Sequence, residues 1–291
     1  MDMKSLKLRW LLAFVIFGVV LWCSRLLRSG GATGNLGLRG YLRIQPTGTS
    51  GSQSLTLRCG TCAVVSSSGH MRGSGCGSKI DAHECVIRMN AAPTQGFEAD
   101  VGNRTSVRMV SHTSVPHLLR GERLFFGHDA DTRYVVWGPE RNMRQDGKGQ
   151  VFNALAALAR RHPPAHLYAV SREKVLYCDR VFQEETGKDR MKSGAFLSTG
   201  FFTLILALEV CDSVDVYGMM DGSYCSLANH SSVPYHYYEL YHLDECAMYR
   251  FHELAQRGGH RFITEKHIYR RWALQGKLHF PYPTWVRQQQ S

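Results

Sequence analysis

Four stretches of the chain hold residue types that could do chemistry together. Residues 66–78 read SSSGHMRGSGCGS, directly after the apolar run CAVV at 62–65. A strand running into glycine and serine exposes backbone amides that can hold a phosphate. The P-loop pattern fails there, because Lys79 follows Ser78, not a glycine. The dinucleotide fingerprint fails too, because Gly73, Gly75 and Gly77 are spaced two by two. Farther on, Ser198-Thr199-Gly200 opens the apolar run FFTLILALEV, where a helix start could be capped and could favour an anion. VPYHYYEL sets His236 beside Tyr237, Tyr238 and Glu239, and GGHRFITEKH sets His260 five residues before Glu265. Imidazole has the ordinary pKa that general acid–base work near neutral pH requires. Each stretch also has a plainer reading. The glycine-rich stretch can be a surface turn, Ser198 an ordinary N-cap, and the histidines structural, like their neighbours His242, His252 and His267.

Positioning such groups requires a scaffold, and the pattern supplies one. Short β-rich runs at 62–66, 85–89, 106–111, 134–137, 166–171 and 214–218 alternate with helical patterns at 151–161, 199–210 and 243–257. That alternation predicts an α/β domain with a largely parallel sheet. Ligands of such sheets bind at the carboxyl ends of strands, where the loop at 66–78 falls. The net charge of +11 with 14 further histidines favours anionic ligands. Lys and Arg are scattered, with no basic helix and no nucleic-acid-binding signature, so nucleic acid is not the expected partner.

The N-terminus sets the compartment. WLLAFVIFGVVLWC at 10–23 is apolar throughout and follows Lys4, Lys7 and Arg9, while Trp22, Arg25 and Leu26 offer no small-residue cleavage site. The expected organisation is a cytosolic tail at 1–9, an uncleaved signal-anchor helix at 10–27, a flexible Gly/Ser/Thr-rich stem at 28–57 and a lumenal domain at 58–291. A short span suits the thinner membranes of the early secretory pathway. Eight cysteines follow Cys23, and sequence alone fixes none of their pairings. A zinc reading of Cys59-x-x-Cys62 lacks a second ligand pair. Asn103-Arg104-Thr105 and Asn229-His230-Ser231 are glycan acceptor triplets, so Asn103 and Asn229 are candidate N-glycosylation sites.

Taken jointly and in this order, these stretches resemble the animal sialyltransferases. Cys62–Val110 is similar to the large sialylmotif, residues 193–220 to the small one, His236–Glu239 to the third, and His260–Glu265 to the very small H-x-x-x-x-E motif. VVSSSG, STGFFT, VPYHYYE and HRFITEK look most like the subgroup that sialylates N-acetylgalactosamine (GalNAc) at O6, on already sialylated core-1 glycans. The resemblance implies a Rossmann-like fold of the GT-A-variant kind. It also implies inverting transfer of sialic acid from CMP-sialic acid, with no cofactor and no metal, in a type II protein of the Golgi membrane. The acceptors it implies are sialylated core-1 O-glycans on glycoproteins, with glycolipids as a second class.

By the same resemblance, Ser67, Ser68, Gly69, His70 and Asn90 contact the nucleotide. Ser198, Thr199 and Gly200 hold it from the other side, with Tyr217 and Gly218 at the next strand end. His236 would donate to the departing phosphate, His260 would be the base, Glu265 would support local structure, and Cys62 would pair with Cys211. The family commonly has Asn or Gln where this chain has His70, and Cys76 is unusual in the motif. Transfer with alpha-2,3 or alpha-2,8 linkage, and a non-catalytic lumenal protein binding sialoglycans, are the alternatives.

Overall fold

A computed structural model describes residues 38–47, 50–127, 131–239 and 243–285. The expected tail and anchor and residues 28–37 of the expected stem lie outside them. No helix among the described residues is long and apolar enough to cross a membrane.

The described strands are β1 (Tyr41–Ile44), β2 (Ser50–Ser54), β3 (Cys59–Val65), β4 (Cys85–Met89), β5 (Val107–Ser111), β6 (Arg133–Trp137), β7 (His166–Val170), β8 (Cys211–Tyr217) and β9 (His279–Tyr282). They form one sheet in the order β2-β1-β7-β6-β5-β4-β3-β8-β9. From β7 through β9 all neighbours are parallel, while β1 runs antiparallel to β7 and β2. Chain order climbs from β3 to β7 on one side and places β8 on the other, so the topological switch point lies between β3 and β8.

Helices cover both faces, which is why strands such as β4 and β5 are buried at every position. The longer helices are α1 (Gln150–Arg161), α2 (Arg172–Thr186), α3 (Thr199–Val210), α4 (Glu245–Leu254) and α5 (Phe262–Leu274). In β6, Tyr134 and Val136 pack with Phe152 and Leu155 of α1, while Trp137 stacks on Phe202 of α3 at 4.6 Å. Successive side chains of a strand point to opposite faces, so α1 and α3 lie on opposite sides of the sheet. Apolar on nearly every side, α3 buries Phe201 through Ala207 and packs against β3, β4, β5 and β8.

The sheet takes in residues of the segment expected as a stem, through β1 and β2. Tyr41 and Ile44 are each 1% exposed, and β1 pairs with β7 through Leu42↔Ala169. The Tyr41 hydroxyl donates to Glu209 at 3.1 Å, and the Lys174 ammonium sits 5.0 Å from its ring. Two apolar anchors in a glycine- and serine-rich segment were enough to join the sheet.

Disulfides join Cys59 to Cys85, Cys62 to Cys211 and Cys225 to Cys246, leaving Cys76 and Cys178 as buried thiols. The first two bridges tie β3 to both of its neighbours, and the Cys62–Cys211 bridge crosses the switch point. Asn103 and Asn229 are both exposed.

Candidate active site

A cavity of about 390 Å³ opens over the carboxyl ends of β3 to β6 and the start of α3. Its wall brings together Ser67, Ser68, Asn90, Ser198, Thr199, Gly200, His236 and His260, which are spread over nearly 200 residues of sequence. Gly69, His70, Tyr217 and Gly218 do not line it.

The loop after β3 divides by function. Ser66 Oγ accepts from the Ser68 amide at 3.2 Å and Ser68 Oγ from the His70 amide at 3.1 Å, so the serines fold the turn while their edges face the cavity. Gly69 has another role: its amide donates to Pro234 O at 3.0 Å, and a Cβ there would lie 2.2 Å from that oxygen. The absence of a side chain lets the segment carrying His236 dock. In the second half of the loop, Gly73 and Gly75 have positive φ and give their amides to the Asp100 carboxylate at 2.7 and 2.9 Å. Those amides are already committed to an anion of the protein.

The residues expected to contact the nucleotide at the end of β8 stand outside this cavity wall. Tyr217 is buried among Ala63, Val65 and Met71, and a Cβ on Gly218 would lie 2.6 Å from Met71 Cγ. Both shape the sheet edge behind the cavity. His70 also stands outside the wall. It packs edge-on against Tyr224, with Nε2 3.4 Å from Glu245 Oε2. Burial, then the nearby Lys266 charge, push its pKa down to about 4. An imidazole in that environment is neutral and sits behind the wall.

Asn90 sits at the end of β4 with φ 50°, a left-handed conformation that Asn tolerates better than most residues. Its Oδ1 accepts from the Ser111 amide at 2.9 Å, and its carbonyl accepts from Arg108 at 2.8 Å. With Oδ1 committed, the side-chain NH2 is left to donate into the cavity. At the start of α3, Ser198 Oγ accepts from the Phe201 amide at 3.1 Å and donates to Glu265, whose other oxygen accepts from the Ser198 amide at 2.8 Å. Ser198 is therefore spent on holding the helix end. The amides of Thr199 and Gly200, the first two of the helix, have no partner among the described residues, and both residues line the cavity. Glu265, 1% exposed, also accepts from the Tyr269 hydroxyl at 3.1 Å, and burial raises its pKa to about 7. Its work is to fasten α5 to α3.

The two histidines are held differently. His260 Nδ1 lies 3.1 Å from Phe196 O, so this nitrogen carries the proton and Nε2 keeps its lone pair. Burial holds the His260 pKa below the ordinary imidazole value, against the opposing pull of the Phe196 carbonyl. His236 Nδ1 donates to Glu239 Oε2 at 2.6 Å, and its ring stacks on Tyr238 at 5.0 Å. One ring is thus set as a neutral acceptor. The other is set beside a carboxylate, able to donate from Nε2 when protonated.

Sequence reasoning missed several wall residues. Ser111 to Ser114 and Trp137 follow or end strands it had located, so the strand-end rule could have found them. Glu245 and Lys266 carry no such signal, because charged residues on amphipathic helices read as solvated. Here Lys266 is 5% exposed, donates to Met220 O at 2.8 Å and lies 4.5 Å from the Tyr249 ring. Burial lowers its pKa to about 8 and raises that of Glu245. A second cavity, of about 780 Å³, shares Trp137 and Phe196 with the first. The groups of potential metal ligands among the described residues, Cys59-Cys62-Cys85 and His230-Asp244-Cys246, contain cysteines already joined in disulfides.

Residues 42–277 match the family model described as glycosyltransferase family 29 (sialyltransferase). The chain is 54% identical over 227 residues to an alpha-N-acetyl-neuraminyl-2,3-beta-galactosyl-1,3-N-acetyl-galactosaminide alpha-2,6-sialyltransferase of Mus musculus, covering 78% of this chain and 63% of that protein. Against the protein of that name from Homo sapiens the identity is again 54%, covering 75% of the relative. Against alpha-N-acetylgalactosaminide alpha-2,6-sialyltransferase 3 of Rattus norvegicus it is 49% over 247 residues, covering 85% of this chain and 79% of the relative. The match therefore spans less than two thirds of the mouse relative's length. A solved mammalian sialyltransferase shares the fold, with a TM-score of 0.51 at 23% identity over 76% of this chain and 68% of that one. The same fold recurs in a mammalian sialyltransferase structure in complex with Gal-beta-1-3GalNAc-ortho-nitrophenol, with a TM-score of 0.51 at 24% identity over 76% of this chain and 69% of that one. The chain belongs to glycosyltransferase family 29, the sialyltransferases.

Proposed function

We propose that the chain is an inverting alpha-2,6-sialyltransferase that moves sialic acid from CMP-sialic acid to O6 of GalNAc in Neu5Ac-alpha-2,3-Gal-beta-1,3-GalNAc. The acceptors are O-linked glycans of glycoproteins, with gangliosides as a second class. We place it in the Golgi membrane as a single-pass type II protein with the catalytic domain in the lumen. The relatives' names supply the acceptor. One observation carries the chemistry: His260, with a free Nε2, and His236, oriented by Glu239, share a cavity with Asn90 and the open amides of α3.

Each part then has a step. The amides of Thr199 and Gly200 and the Asn90 NH2 hold the CMP phosphate as fixed donors that need no reorganisation during reaction. His260 Nε2 takes the proton from the acceptor O6 as that oxygen bonds to the anomeric carbon. The bond from that carbon to the phosphate oxygen breaks on the opposite face, and its electron pair leaves with CMP. Protonated His236 donates from Nε2 to the leaving phosphate. Charge is met by protein donors, and we propose that no metal is required.

The test is incubation of the full chain with CMP-sialic acid and defined acceptors, followed by linkage analysis of the product. We expect disialylated product with the new linkage at O6 of GalNAc, unchanged by EDTA. Product linked alpha-2,3 or alpha-2,8, or none with any acceptor, would overturn the reading. Loss of activity in EDTA would remove the metal-free step.

A further inference from the structure

The proposed reaction brings two anionic sugars to one cavity: the donor, and an acceptor that already bears a sialic acid carboxylate. The cations of the site are arranged unequally around this problem. Lys266 is buried at the cavity wall, packed against Tyr249 and bonded to Met220 O. Arg141 lies past the end of β6, exposed and lining the same cavity as His112 and Trp137. In the adjoining cavity, Arg144 is paired with Asp146, Arg172 with Glu140 at 3.5 Å, and Arg190 with Asp179 at 2.5 Å. Among the described residues lining either cavity, Arg141 is the lysine or arginine with no ion pair and no hydrogen bond.

His112 gives a second, independent observation. It follows β5, stands edge-on to Trp137 with ring centroids 6.1 Å apart, and has its Nδ1 buried without a hydrogen-bond partner. A buried polar nitrogen left unpaired is destabilising, and a ligand oxygen at the cavity wall would satisfy it. The arrangement depends on Gly138, since a Cβ there would lie 2.7 Å from His112 Cβ. Trp137, between the two, also forms the wall shared with the larger cavity, so a glycan reaching His260 has room to continue past it.

We infer that Arg141 and His112 form the subsite for the carboxylate of the acceptor's existing sialic acid, with Arg141 as the charge partner and His112 as a hydrogen-bond donor. The inference rests on the proposed acceptor, and it assigns acceptor choice to residues outside the donor loops. A planar guanidinium matches a carboxylate with two parallel hydrogen bonds, whereas an ammonium offers a point charge.

The experiment pairs a change in the protein with the same change in the ligand. The full-length enzyme, Arg141→Gln and Arg141→Lys are assayed with Neu5Ac-alpha-2,3-Gal-beta-1,3-GalNAc and with its sialic acid methyl ester. The readout is the acid-to-ester ratio of kcat/KM, which cancels any general loss of active protein. We expect the wild type to favour the acid by about 10- to 100-fold, the scale of a charge-assisted hydrogen bond. Arg141→Gln should bring the ratio near unity, and Arg141→Lys should fall between. His112→Phe should lower the ratio without abolishing it. A wild type indifferent to esterification, or an Arg141→Gln variant that keeps the wild-type ratio, would overturn the subsite. If Arg141→Gln gives no measurable turnover, Arg141→Lys decides: an unchanged ratio there overturns the bidentate pairing. A wild type that sialylates neither acceptor, or that in a control assay sialylates only unsialylated Gal-beta-1,3-GalNAc, would instead sink the proposed acceptor on which the subsite rests.

Discussion

His260 Nδ1 stands 3.1 Å from the carbonyl oxygen of Phe196, two residues before the cap of α3. That contact fixes the tautomer and ties the base to the helix end that holds the phosphate. Burial, with His252 stacked at 5.3 Å and nearly parallel, keeps the ring neutral.

Replacing His260 by alanine should therefore lower the transfer rate by about 10²- to 10⁴-fold, the scale of general-base catalysis, while CMP affinity stays close to wild type. Product assays and calorimetric titration of CMP check the two halves. The sign of the pH profile follows from the lowered pKa. The base form is unprotonated, so the acid limb of kcat/KM should rise with pH through a midpoint below 6.5. An acid limb centred at or above 6.5 would contradict the assignment.

His236 and Glu239 should behave as one unit, because the 2.6 Å contact makes the carboxylate the orienter of the ring. His236→Ala is expected to reduce kcat by about 10²-fold, as for loss of one donor to developing charge. Glu239→Gln should cost less, and the double variant should be no slower than His236→Ala alone. Rates that multiply in the double variant would show two independent roles. Effects confined to acceptor KM would remove His236 from the leaving-group step.

How much of this was legible in the sequence depends on the kind of force involved. The extent of α3, Thr199–Val210, was read correctly because an apolar run opened by Ser198 is a local signal. Strands β3 to β8 were found for the same reason, within a few residues. β1, β2 and β9 were missed: each is four or five residues long and is a strand only because a neighbour's edge completes it. α2 was missed because its charged residues mask a buried face of three residues, Lys174, Cys178 and Phe182. At the site, motif order located His236, His260, Asn90 and Gly200. It could not say that Gly69 and Gly218 serve close packing, since motif likeness does not separate a contact with ligand from a contact that shapes the wall. The pocket under Ser68, with Lys266 and Glu245, comes from tertiary burial and leaves no pattern in sequence.

Glu265 should leave a signature in stability against pH. Its folded pKa of about 7 exceeds the unfolded carboxylate value, so the folded state binds the extra proton. Stability from this group is full below the unfolded pKa and declines as pH rises toward 7. Glu265→Gln removes the titration, so relative to wild type the variant should become progressively more stable between about pH 4.5 and 7. Urea denaturation of both proteins at several pH values measures this. A difference that is flat with pH would show that Glu265 does not titrate in that window.

Asn90 separates holding the fold from holding the ligand. Its left-handed backbone and its Oδ1 bond to the Ser111 amide are structural, whereas its NH2 is left uncommitted on a residue that lines the cavity. Asn90→Asp keeps the acceptor oxygen and a residue that tolerates positive φ, but turns a donor into a second negative oxygen opposite the phosphate. It should melt near wild type and lose most of its affinity for CMP. Asn90→Ala loses the acceptor and strains the backbone, and should be less stable by about 2 kcal/mol, from about 1 each. Its CMP binding should fall less than that of Asn90→Asp, because no repulsion is added. Thermal melts and CMP titrations of the two variants should thus rank them in opposite orders, and a single shared order would merge the two roles.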